Sequence, residues 1–204
     1  MMINNSVMTK ENHKDISDLH PELNATYYSD WYTDVEADQL MKELLFLPWE
    51  TEEIKMFGKI ITVPRKVLWV ADEGVNYKNS GKEHYPKKWN RELSKIRKRL
   101  EKEISSFNSV LCNLYHDGRD YMGWHQDNEP ELGQRPTIAS LTFGAERKFQ
   151  FRHRITKEKV EITLTHGSLL VMYGNSQDLW QHALPKMLRV KDPRINLTFR
   201  NIQI

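Results

Sequence analysis

The chain of 204 residues contains a single cysteine, Cys112. One cysteine excludes a framework of disulfides and suits a reducing compartment. The sequence also lacks any stretch approaching 18 apolar residues, and its N-terminus has no apolar segment of the kind found in secretion signals. Neither membrane spanning nor secretion is therefore expected. We expect one domain, in the cytoplasm or, in a eukaryotic cell, in the nucleus.

Net charge is also nearly absent, at +2, but the charges are unevenly distributed. Residues 1–40 hold eight acidic and two basic side chains, a balance of −6, so residues 41–204 carry +8. Within residues 86–103, eight Lys and Arg residues accompany three Glu. This segment has apolar residues at helical spacing, which makes the cations the solvated face of a helix. An uneven basic surface is also what a phosphate-backbone binder needs, and the sequence leaves both interpretations open.

The chemistry of the chain centres on a His-x-Asp motif, His125-Gln126-Asp127. On an extended strand, residues i and i+2 point to the same side, so an imidazole and a carboxylate can bind one ion together. His182 is the candidate for a third ligand. Two neutral nitrogens and one carboxylate on one face of an octahedron form the arrangement of non-haem iron(II) oxygenases. An isolated His-x-Asp also occurs in solvent-facing turns, so this motif predicts a metal site only together with the other motifs of the sequence.

Residues 193–200 alternate apolar and polar side chains with a period of two, which predicts a strand. Its polar face carries Arg194, Asn196, Thr198 and Arg200. Two guanidiniums on one face suit a ligand with a carboxylate at each end, such as 2-oxoglutarate, because each can bind one carboxylate bidentately. Upstream, Asn113 and Tyr115 offer an amide and a phenol at the same spacing. The alternative is that the arginines are ordinary surface charge.

Further motifs follow these residues in a recognisable order. The full set consists of Asn113 and Tyr115, then His125, Asp127 and Glu129, then residues 138–144, 151–153, 166–170, 180–185 and 194–200. With these motifs the sequence resembles the AlkB family of iron(II)- and 2-oxoglutarate-dependent nucleic-acid dealkylases. The resemblance runs from about residue 55 to the end. It is strongest to the branch that contains the human double-stranded-DNA repair homologues.

The strand pattern and the resemblance imply the same fold. Eight or so short strands separated by polar turns predict a two-sheet jelly roll, and the family has a double-stranded β-helix of that kind. We expect a mainly β protein with supporting helices (α+β). Residues 1–26 are expected to form a weakly ordered tail, residues 27–106 the helices and hairpins of a nucleotide-recognition lid, and residues 107–204 the catalytic core. A capping box at Thr33 and Glu36 predicts the start of the first helix.

The resemblance implies that His125, Asp127 and His182 hold iron(II). Oxygen and 2-oxoglutarate would then be consumed, with release of succinate and carbon dioxide, to hydroxylate an N-alkyl group on a base. The hydroxylated adduct would collapse to an aldehyde and the repaired base. Lesions of the 1-methyladenine and 3-methylcytosine type are the expected substrates. We expect no membrane association, no protein partner and a monomer.

The resemblance also assigns the 2-oxoglutarate site. Arg194 would bind the distal carboxylate with help from Tyr115, and Arg200 would steady the end that chelates iron. The other residues expected at this site are Asn113, Asn196 and Thr198.

A hairpin around Phe57 and Gly58 is the predicted contact with DNA. A bulky ring beside a glycine, flanked by Lys and Arg residues, has the composition of a wedge that enters the base stack while the target nucleotide is flipped out, as in the resembled family. Packing of Phe57 in the core is the structural alternative. Arg65 is expected to hold the opposite strand.

The lesion pocket is assigned by resemblance and by position. Tyr77 and Ser80 would line it by resemblance, while Asn79 stands where close relatives carry an aromatic residue that stacks on the base. The remaining substrate-binding candidates adjoin the His-x-Asp motif: Trp124, Asn128 and Glu129.

Two other function classes fit parts of the pattern. One keeps the iron chemistry but takes RNA, a protein side chain or a small molecule as substrate. The other is a non-catalytic β-sandwich that binds damaged nucleic acid through its basic surface. Only the first would form succinate, and only the second would bind alkylated DNA equally well after removal of metal.

We predict that Phe57→Ala lowers repair of lesions in duplex DNA far more than repair of the same lesions in single strands. A wedge is needed only where a base must be removed from a paired stack. Repair rates on matched single- and double-stranded oligonucleotides measure the difference, and equal losses on both would remove the wedge hypothesis.

Overall fold

The computed structural model describes residues 13–16, 19–56, 58–75, 77–79, 82–84 and 86–203; at residues 13–15, 54–56, 59, 77–79 and 82–84 it describes the backbone alone. Strands account for most of the regular structure. In chain order the elements are β1 (His13–Asp15), β2 (Ala25–Tyr28), α1 (Asp34–Leu45), β3 (Glu50–Met56), β4 (Lys59–Ala71), β5 (Tyr77–Asn79), β6 (Lys82–His84), α2 (Arg91–Glu103), β7 (Ser109–Tyr115), β8 (Met122–His125), a 3-10 helix (Pro130–Leu132), β9 (Ile138–Gly144), β10 (Arg147–His153), β11 (Lys159–Leu164), β12 (Leu169–Met172), α3 (Ser176–Leu179), β13 (Trp180–Leu184) and β14 (Arg194–Arg200).

Two antiparallel sheets contain almost all of these strands. The large sheet has the order β1-β2-β12-β9-β14-β7-β4-β3, and the small sheet has the order β11-β10-β13-β8. The last eight strands of the chain are divided evenly, four in each sheet, as in a jelly roll. The predicted fold class is therefore confirmed. Strands β5 and β6 form a separate hairpin.

The large sheet separates an apolar face from a polar one because its strands alternate with a period of two. On β14, Ile195, Leu197 and Phe199 are fully buried in the main hydrophobic core. The intervening polar residues point to the other face, toward the small sheet. The register of β14 sets Asn196 opposite Asn113 of β7. One local sequence pattern thus fixes which side chains enter the space between the sheets.

Two helices cover the apolar face of the large sheet. Helix α1 begins with the predicted capping box, in which Glu36 N–H donates to Thr33 Oγ1 (3.3 Å) and Thr33 N–H donates to Glu36 Oε2 (2.9 Å). Helix α2 is capped by Asn90, whose Oδ1 accepts the Leu93 N–H (2.8 Å). Leu93, Ile96 and Leu100 enter the same core as the sheet. Among the described residues, no helix is long and apolar enough to cross a membrane.

The N-terminal segment differs from the expected tail. Strand β1 pairs with β2, which extends the large sheet at its edge. Ile16, Leu23 and Ala25 are fully buried against the second core cluster, between the sheets. Three isolated apolar residues give no helical or strand periodicity, so the sequence pattern could not predict this order.

A buried arginine ties two loops together at one end of the sheets. Arg147 is fully buried, and its guanidinium donates to the carbonyl oxygens of Asp117 (3.2 Å), Asp120 (2.8 Å) and Pro185 (2.7 Å). The turn after β7 also lies directly against the loop after β13: a Cβ built on Gly118 would lie 1.7 Å from the Met187 carbonyl oxygen. Only glycine allows this close approach.

Candidate metal centre

Three potential metal ligands converge between the sheets. Strand pairing sets His182 of β13 opposite His125 of β8, and Asp127 follows two residues after His125. One ligand atom from each residue lies within 4.8 Å of the other two, and the imidazole centroids are 4.2 Å apart. The structure thus brings together the three residues that the His-x-Asp motif and the distant histidine predicted.

Each histidine can present a nitrogen lone pair. The Nδ1 of His125 lies 2.8 Å from the Gly123 carbonyl oxygen, so Nδ1 carries the proton and Nε2 has the lone pair. His182 is buried and stacks on Phe149, with 5.4 Å between ring centroids. Burial, with the nearby cations as smaller causes, lowers the pKa of His182 to about 3. Its imidazole is therefore neutral at pH 7, the form that binds metal.

The carboxylate of Asp127 is buried but ionised. Arg200 Nη2 donates to Asp127 Oδ1 at 2.8 Å, and both side chains are almost inaccessible to solvent. Burial alone would raise the pKa of Asp127, but Arg200, together with the two imidazoles, lowers the pKa to about 2. Two neutral imidazoles and one carboxylate are the donor set of non-haem iron(II) sites. The residues present therefore fit iron(II).

A cavity between the sheets opens onto this cluster. Eight predicted site residues line it: Asn113, Tyr115, His125, Asp127, His182, Asn196, Thr198 and Arg200. Apolar side chains, among them Leu111, Phe149 and Met172, form the rest of its wall. The cavity therefore combines a few convergent polar groups with an apolar lining, as ligand sites do.

Arg194 lies buried beside this cavity with two unused donors. Its Nη2 donates to Thr142 Oγ1 (2.8 Å), while its buried Nε and Nη1 have no partner among the described residues. Burial lowers the pKa of Arg194 to about 10, so the guanidinium remains charged at pH 7. The Tyr115 ring lies between two guanidiniums, with its centroid 5.4 Å from Arg194 Cζ and 5.9 Å from Arg147 Cζ. Unpartnered buried donors on a cation fit a carboxylate ligand.

Several other predicted residues make contacts within the protein. Arg65 Nε donates to Asn113 Oδ1 at 2.7 Å, which holds this arginine beside the cavity wall, and its contact with DNA stays a prediction. Asn196 Nδ2 donates to Ser140 Oγ (3.0 Å) and to the Leu141 carbonyl oxygen (3.1 Å). These bonds hold the amides of the cavity wall in fixed orientations.

Trp124, one of the predicted substrate-binding residues, is not among the residues that line the cavity. Its ring packs against Arg152, whose Cζ is 4.3 Å from the ring centroid, and Arg152 Nη2 donates to Gln181 Oε1 (2.8 Å). These side chains alternate with inward-facing neighbours such as Phe151 and therefore lie on the outer face of the small sheet. Strand alternation explains this placement, because Trp124 directly precedes His125, whose side chain lines the cavity.

The remaining substrate candidates stay predictions. Asn128 is exposed and Glu129 is half-buried, directly after Asp127. Tyr77 and Asn79 belong to β5, of which only the backbone is described. Phe57 and Ser80 lie outside the described residues.

Gln177 is a site residue that the sequence did not predict. Its Oε1 accepts the Asp127 N–H (3.0 Å), and its backbone carbonyl oxygen accepts Gln126 Nε2 (2.5 Å). The short helix α3 thereby clamps the loop that carries Asp127 onto the segment that leads to His182. Gln177 matches no ligand spacing, and a buried glutamine five residues before a histidine carries no recognisable signal.

We predict that Gln177→Leu weakens metal binding about tenfold while the protein stays folded, because groups that orient metal ligands typically contribute 10- to 100-fold in affinity. Isothermal titration of metal-free protein with Mn²⁺ measures the dissociation constant, and circular dichroism monitors folding. Gln39→Leu, on the exposed face of α1, is the matched control and should bind Mn²⁺ with the wild-type dissociation constant. An unchanged constant in Gln177→Leu would show that the clamp does not support the site.

Comparisons with known proteins agree with this geometry. A sequence model of the 2OG-Fe(II) oxygenase superfamily matches residues 24–200. The chain is 40% identical over 188 residues to DNA oxidative demethylase ALKBH2 of Mus musculus, covering 86% of this chain and 79% of that protein. The chain is also 37% identical over 178 residues to Alpha-ketoglutarate-dependent dioxygenase alkB homolog 3 of Homo sapiens, and this match covers 82% of this chain and 62% of that protein.

The fold has a solved counterpart. The structure titled "The structure of OsALKBH1" superposes with a TM-score of 0.62 at 15% sequence identity, covering 88% of this chain and 97% of that one. This likeness supports the jelly-roll fold, whereas the sequence relatives identify the family. The chain belongs to the AlkB family within the 2OG-Fe(II) oxygenase superfamily, and it is an iron(II)- and 2-oxoglutarate-dependent dioxygenase.

Proposed function

We propose that the protein removes N-alkyl groups from bases in DNA by oxidation, with lesions of the 1-methyladenine and 3-methylcytosine type as substrates. The observation that carries the proposal is one cavity lined by the His125, Asp127 and His182 cluster, with the buried guanidinium of Arg194 beside it, next to the Tyr115 ring. Two of the relatives reported above support the choice of substrate and cosubstrate, because their names are DNA oxidative demethylase and Alpha-ketoglutarate-dependent dioxygenase.

In the proposed mechanism His125, Asp127 and His182 hold iron(II). When bound there, iron with 2-oxoglutarate and oxygen supplies the oxidation that converts an N-alkyl carbon to its hydroxylated form and yields succinate and carbon dioxide. The hydroxylated adduct then loses an aldehyde and leaves the repaired base. The Arg200 guanidinium keeps Asp127 ionised and fixes one of its oxygens at 2.8 Å, so a carboxylate is available for the metal at neutral pH.

Arg194 is proposed to bind the distal carboxylate of 2-oxoglutarate through Nε and Nη1. The Thr142 hydroxyl accepts from Nη2 and thereby sets the plane of the guanidinium before the cosubstrate arrives. Tyr115 lies next to Arg194 and lines the cavity, and Asn113, Asn196 and Thr198 line the same cavity beside the metal cluster. Apolar walls exclude water from the reacting carbon, which protects the oxidant from side reactions.

Base recognition is proposed for residues at the mouth of the cavity. Asn128 and Glu129 follow Asp127 directly and would read the base edge, while Tyr77 and Ser80 would border the flipped base. Asn79 can donate and accept hydrogen bonds but cannot stack as an aromatic ring does, so the lesion preference of this chain should differ from that of relatives with an aromatic residue there. We also propose that the protein acts as a monomer, in the cytoplasm or, in a eukaryotic cell, in the nucleus.

Asp127→Ala should abolish the reaction because it removes the anionic ligand and leaves Arg200 as a buried cation without its 2.8 Å partner. We expect conversion of 2-oxoglutarate to succinate and repair of a methylated oligonucleotide to fall together by more than about 100-fold. Asp178→Ala, which removes an exposed carboxylate of α3, is the control and should keep wild-type rates.

Mass spectrometry of 1-methyladenine and 3-methylcytosine oligonucleotides, as single- and double-stranded DNA and as RNA, measures the repair. Retained succinate formation in Asp127→Ala would remove the metal assignment. Succinate formation by the wild type without repair of any DNA substrate would instead contradict the proposed substrate.

Arg194→Ala should raise the KM for 2-oxoglutarate at least about tenfold with a smaller effect on kcat, because a charge-assisted pair to the cosubstrate carboxylate is lost. Arg194→Lys keeps the positive charge but loses the paired N–H donors, so its KM for 2-oxoglutarate should lie between those of the wild type and Arg194→Ala. Arg154→Ala is the control: it removes an exposed guanidinium whose one hydrogen bond within the described part of the chain is to the Asp178 carbonyl oxygen. Steady-state succinate formation over a range of 2-oxoglutarate gives both constants, and an unchanged KM in Arg194→Ala would place the dicarboxylate elsewhere.

A further inference from the structure

The exposed side of helix α2 carries four cations in one line. Arg91, Lys95, Lys98 and Lys102 occupy positions i, i+4, i+7 and i+11, which at 3.6 residues per turn fall on one side of the helix. All four side chains are exposed. We call this group the α2 basic stripe.

The acidic residues around the helix do not neutralise this stripe. Arg97 forms ion pairs with Asp72 and Glu101, with N–O distances of 2.5 Å and 2.8 Å. Arg99 forms an ion pair with Glu103 at 3.6 Å. Across the described part of the chain, the four stripe cations have no ion pair or hydrogen bond. Lys95 borders a groove that also contains Glu36 and Glu43, but Glu36 is bonded in the capping box and Glu43 accepts from Gln39.

Helix stability does not account for the arrangement. Like charges three and four residues apart repel each other and destabilise a helix, whereas alternation with acids would stabilise it. The helix nevertheless places its like charges together on the solvent side. The four cations are therefore better explained by binding of an anionic partner than by stabilisation of the helix itself.

The surroundings of the stripe restrict the kind of partner. The apolar side of α2, with Leu93, Ile96 and Leu100, is buried in the core, so the helix cannot insert this side into a lipid surface. Apart from the groove beside Lys95, which Val35 and Leu40 also line, the exposed side offers charges without the aromatic or apolar centre that protein interfaces use. Over 11 residues the stripe spans about 16 Å, a length along which one strand of B-DNA carries about five phosphates.

We propose that the α2 basic stripe binds the phosphate backbone of DNA at a surface separate from the cavity. The inference rests on the proposed function, since that function makes DNA the polyanion that the protein meets. Helix α2 covers the outer face of the large sheet, whereas the cavity lies on its inner face. The stripe therefore contacts a part of the DNA remote from the base in the cavity, without reading sequence.

This placement has a consequence for substrate length. A trinucleotide that fills the cavity does not reach the stripe on the opposite face of the sheet. Longer DNA reaches both, so the stripe should raise affinity for long DNA and leave turnover of short substrates unchanged.

The test compares three double variants by fluorescence anisotropy with an unmodified DNA duplex of about 30 base pairs over a series of salt concentrations. Lys98→Gln with Lys102→Gln removes half of the stripe, and glutamine is a good helix former, so α2 should persist. Lys98→Arg with Lys102→Arg keeps the charge. Lys42→Gln with Arg119→Gln removes two exposed charges elsewhere and controls for net charge.

We expect the glutamine stripe variant to bind DNA about tenfold more weakly at 0.1 M salt, and its slope of log K against log salt to become shallower by about 2, since each phosphate contact contributes about 0.9. The arginine variant and the net-charge control should keep the wild-type slope. Repair of a methylated trinucleotide should be the same in all proteins.

The proposal would be overturned if the glutamine stripe variant kept the wild-type slope of log K against log salt. It would also be overturned if the net-charge control lost as much affinity for DNA as the glutamine stripe variant. An equal loss of affinity for polyglutamate would also overturn it, because the stripe would then be a general polyanion surface. Binding is measured with unmodified DNA and needs no turnover. Failure of the proposed function would instead appear as a wild-type protein that binds DNA but repairs no methylated oligonucleotide.

Discussion

A buried ion pair between Asp127 and Arg200 underlies the geometry of the site. A carboxylate enclosed by protein would ordinarily take up a proton, since burial disfavours its charged form. The Arg200 guanidinium at 2.8 Å reverses that tendency and lowers the pKa of Asp127 to about 2. His182 shows the opposite response to the same burial, because its pKa falls to about 3 and its ring stays neutral. One buried environment therefore prepares an anionic oxygen and a neutral nitrogen as ligands for one cation.

The fold supplies the positions for these groups by strand pairing. Strand β13 holds His182 opposite His125 of β8, and Gln177 fastens the loop that carries Asp127. At the cationic end Arg194 is held by Thr142, with two of its donors left for a ligand. The metal cluster lines the cavity between the sheets, and the Arg194 guanidinium lies beside this cavity, next to the Tyr115 ring. We propose that a cosubstrate with two acidic ends contacts both. The α2 helix on the far side of the large sheet provides a separate basic surface.

The sequence predicted those parts of the site that depend on local periodicity. The spacing of two in Arg194 through Arg200 follows directly from extended backbone, and the structure places these residues on the inner face of the large sheet. Asp127 lies in the loop after β8, but it lines the same cavity as His125. The choice of His182 and the roles of these residues came from motif order and from the resemblance to a family. The capping box at Thr33 was predictable because both of its hydrogen bonds lie within four residues.

Contacts between segments distant in sequence could not be predicted in this way. Gln177 reaches Asp127 across 50 residues, and Arg65 reaches Asn113 across 48. Trp124 was predicted to bind substrate, but its ring packs against Arg152 of another strand, on the outer face of the small sheet. The packing of Ile16, Leu23 and Ala25 was missed because three isolated apolar residues show no period, although they are fully buried. Each of these outcomes depends on which loops meet in space.

Anaerobic crystallography of the protein with Mn²⁺ and 2-oxoglutarate tests the central claim most directly. We predict one metal ion about 2.0–2.2 Å from His125 Nε2, an Asp127 oxygen and a His182 nitrogen, with the distal carboxylate of 2-oxoglutarate on Arg194 Nε and Nη1. A metal ion bound by other residues, or a cosubstrate carboxylate away from Arg194, would contradict it.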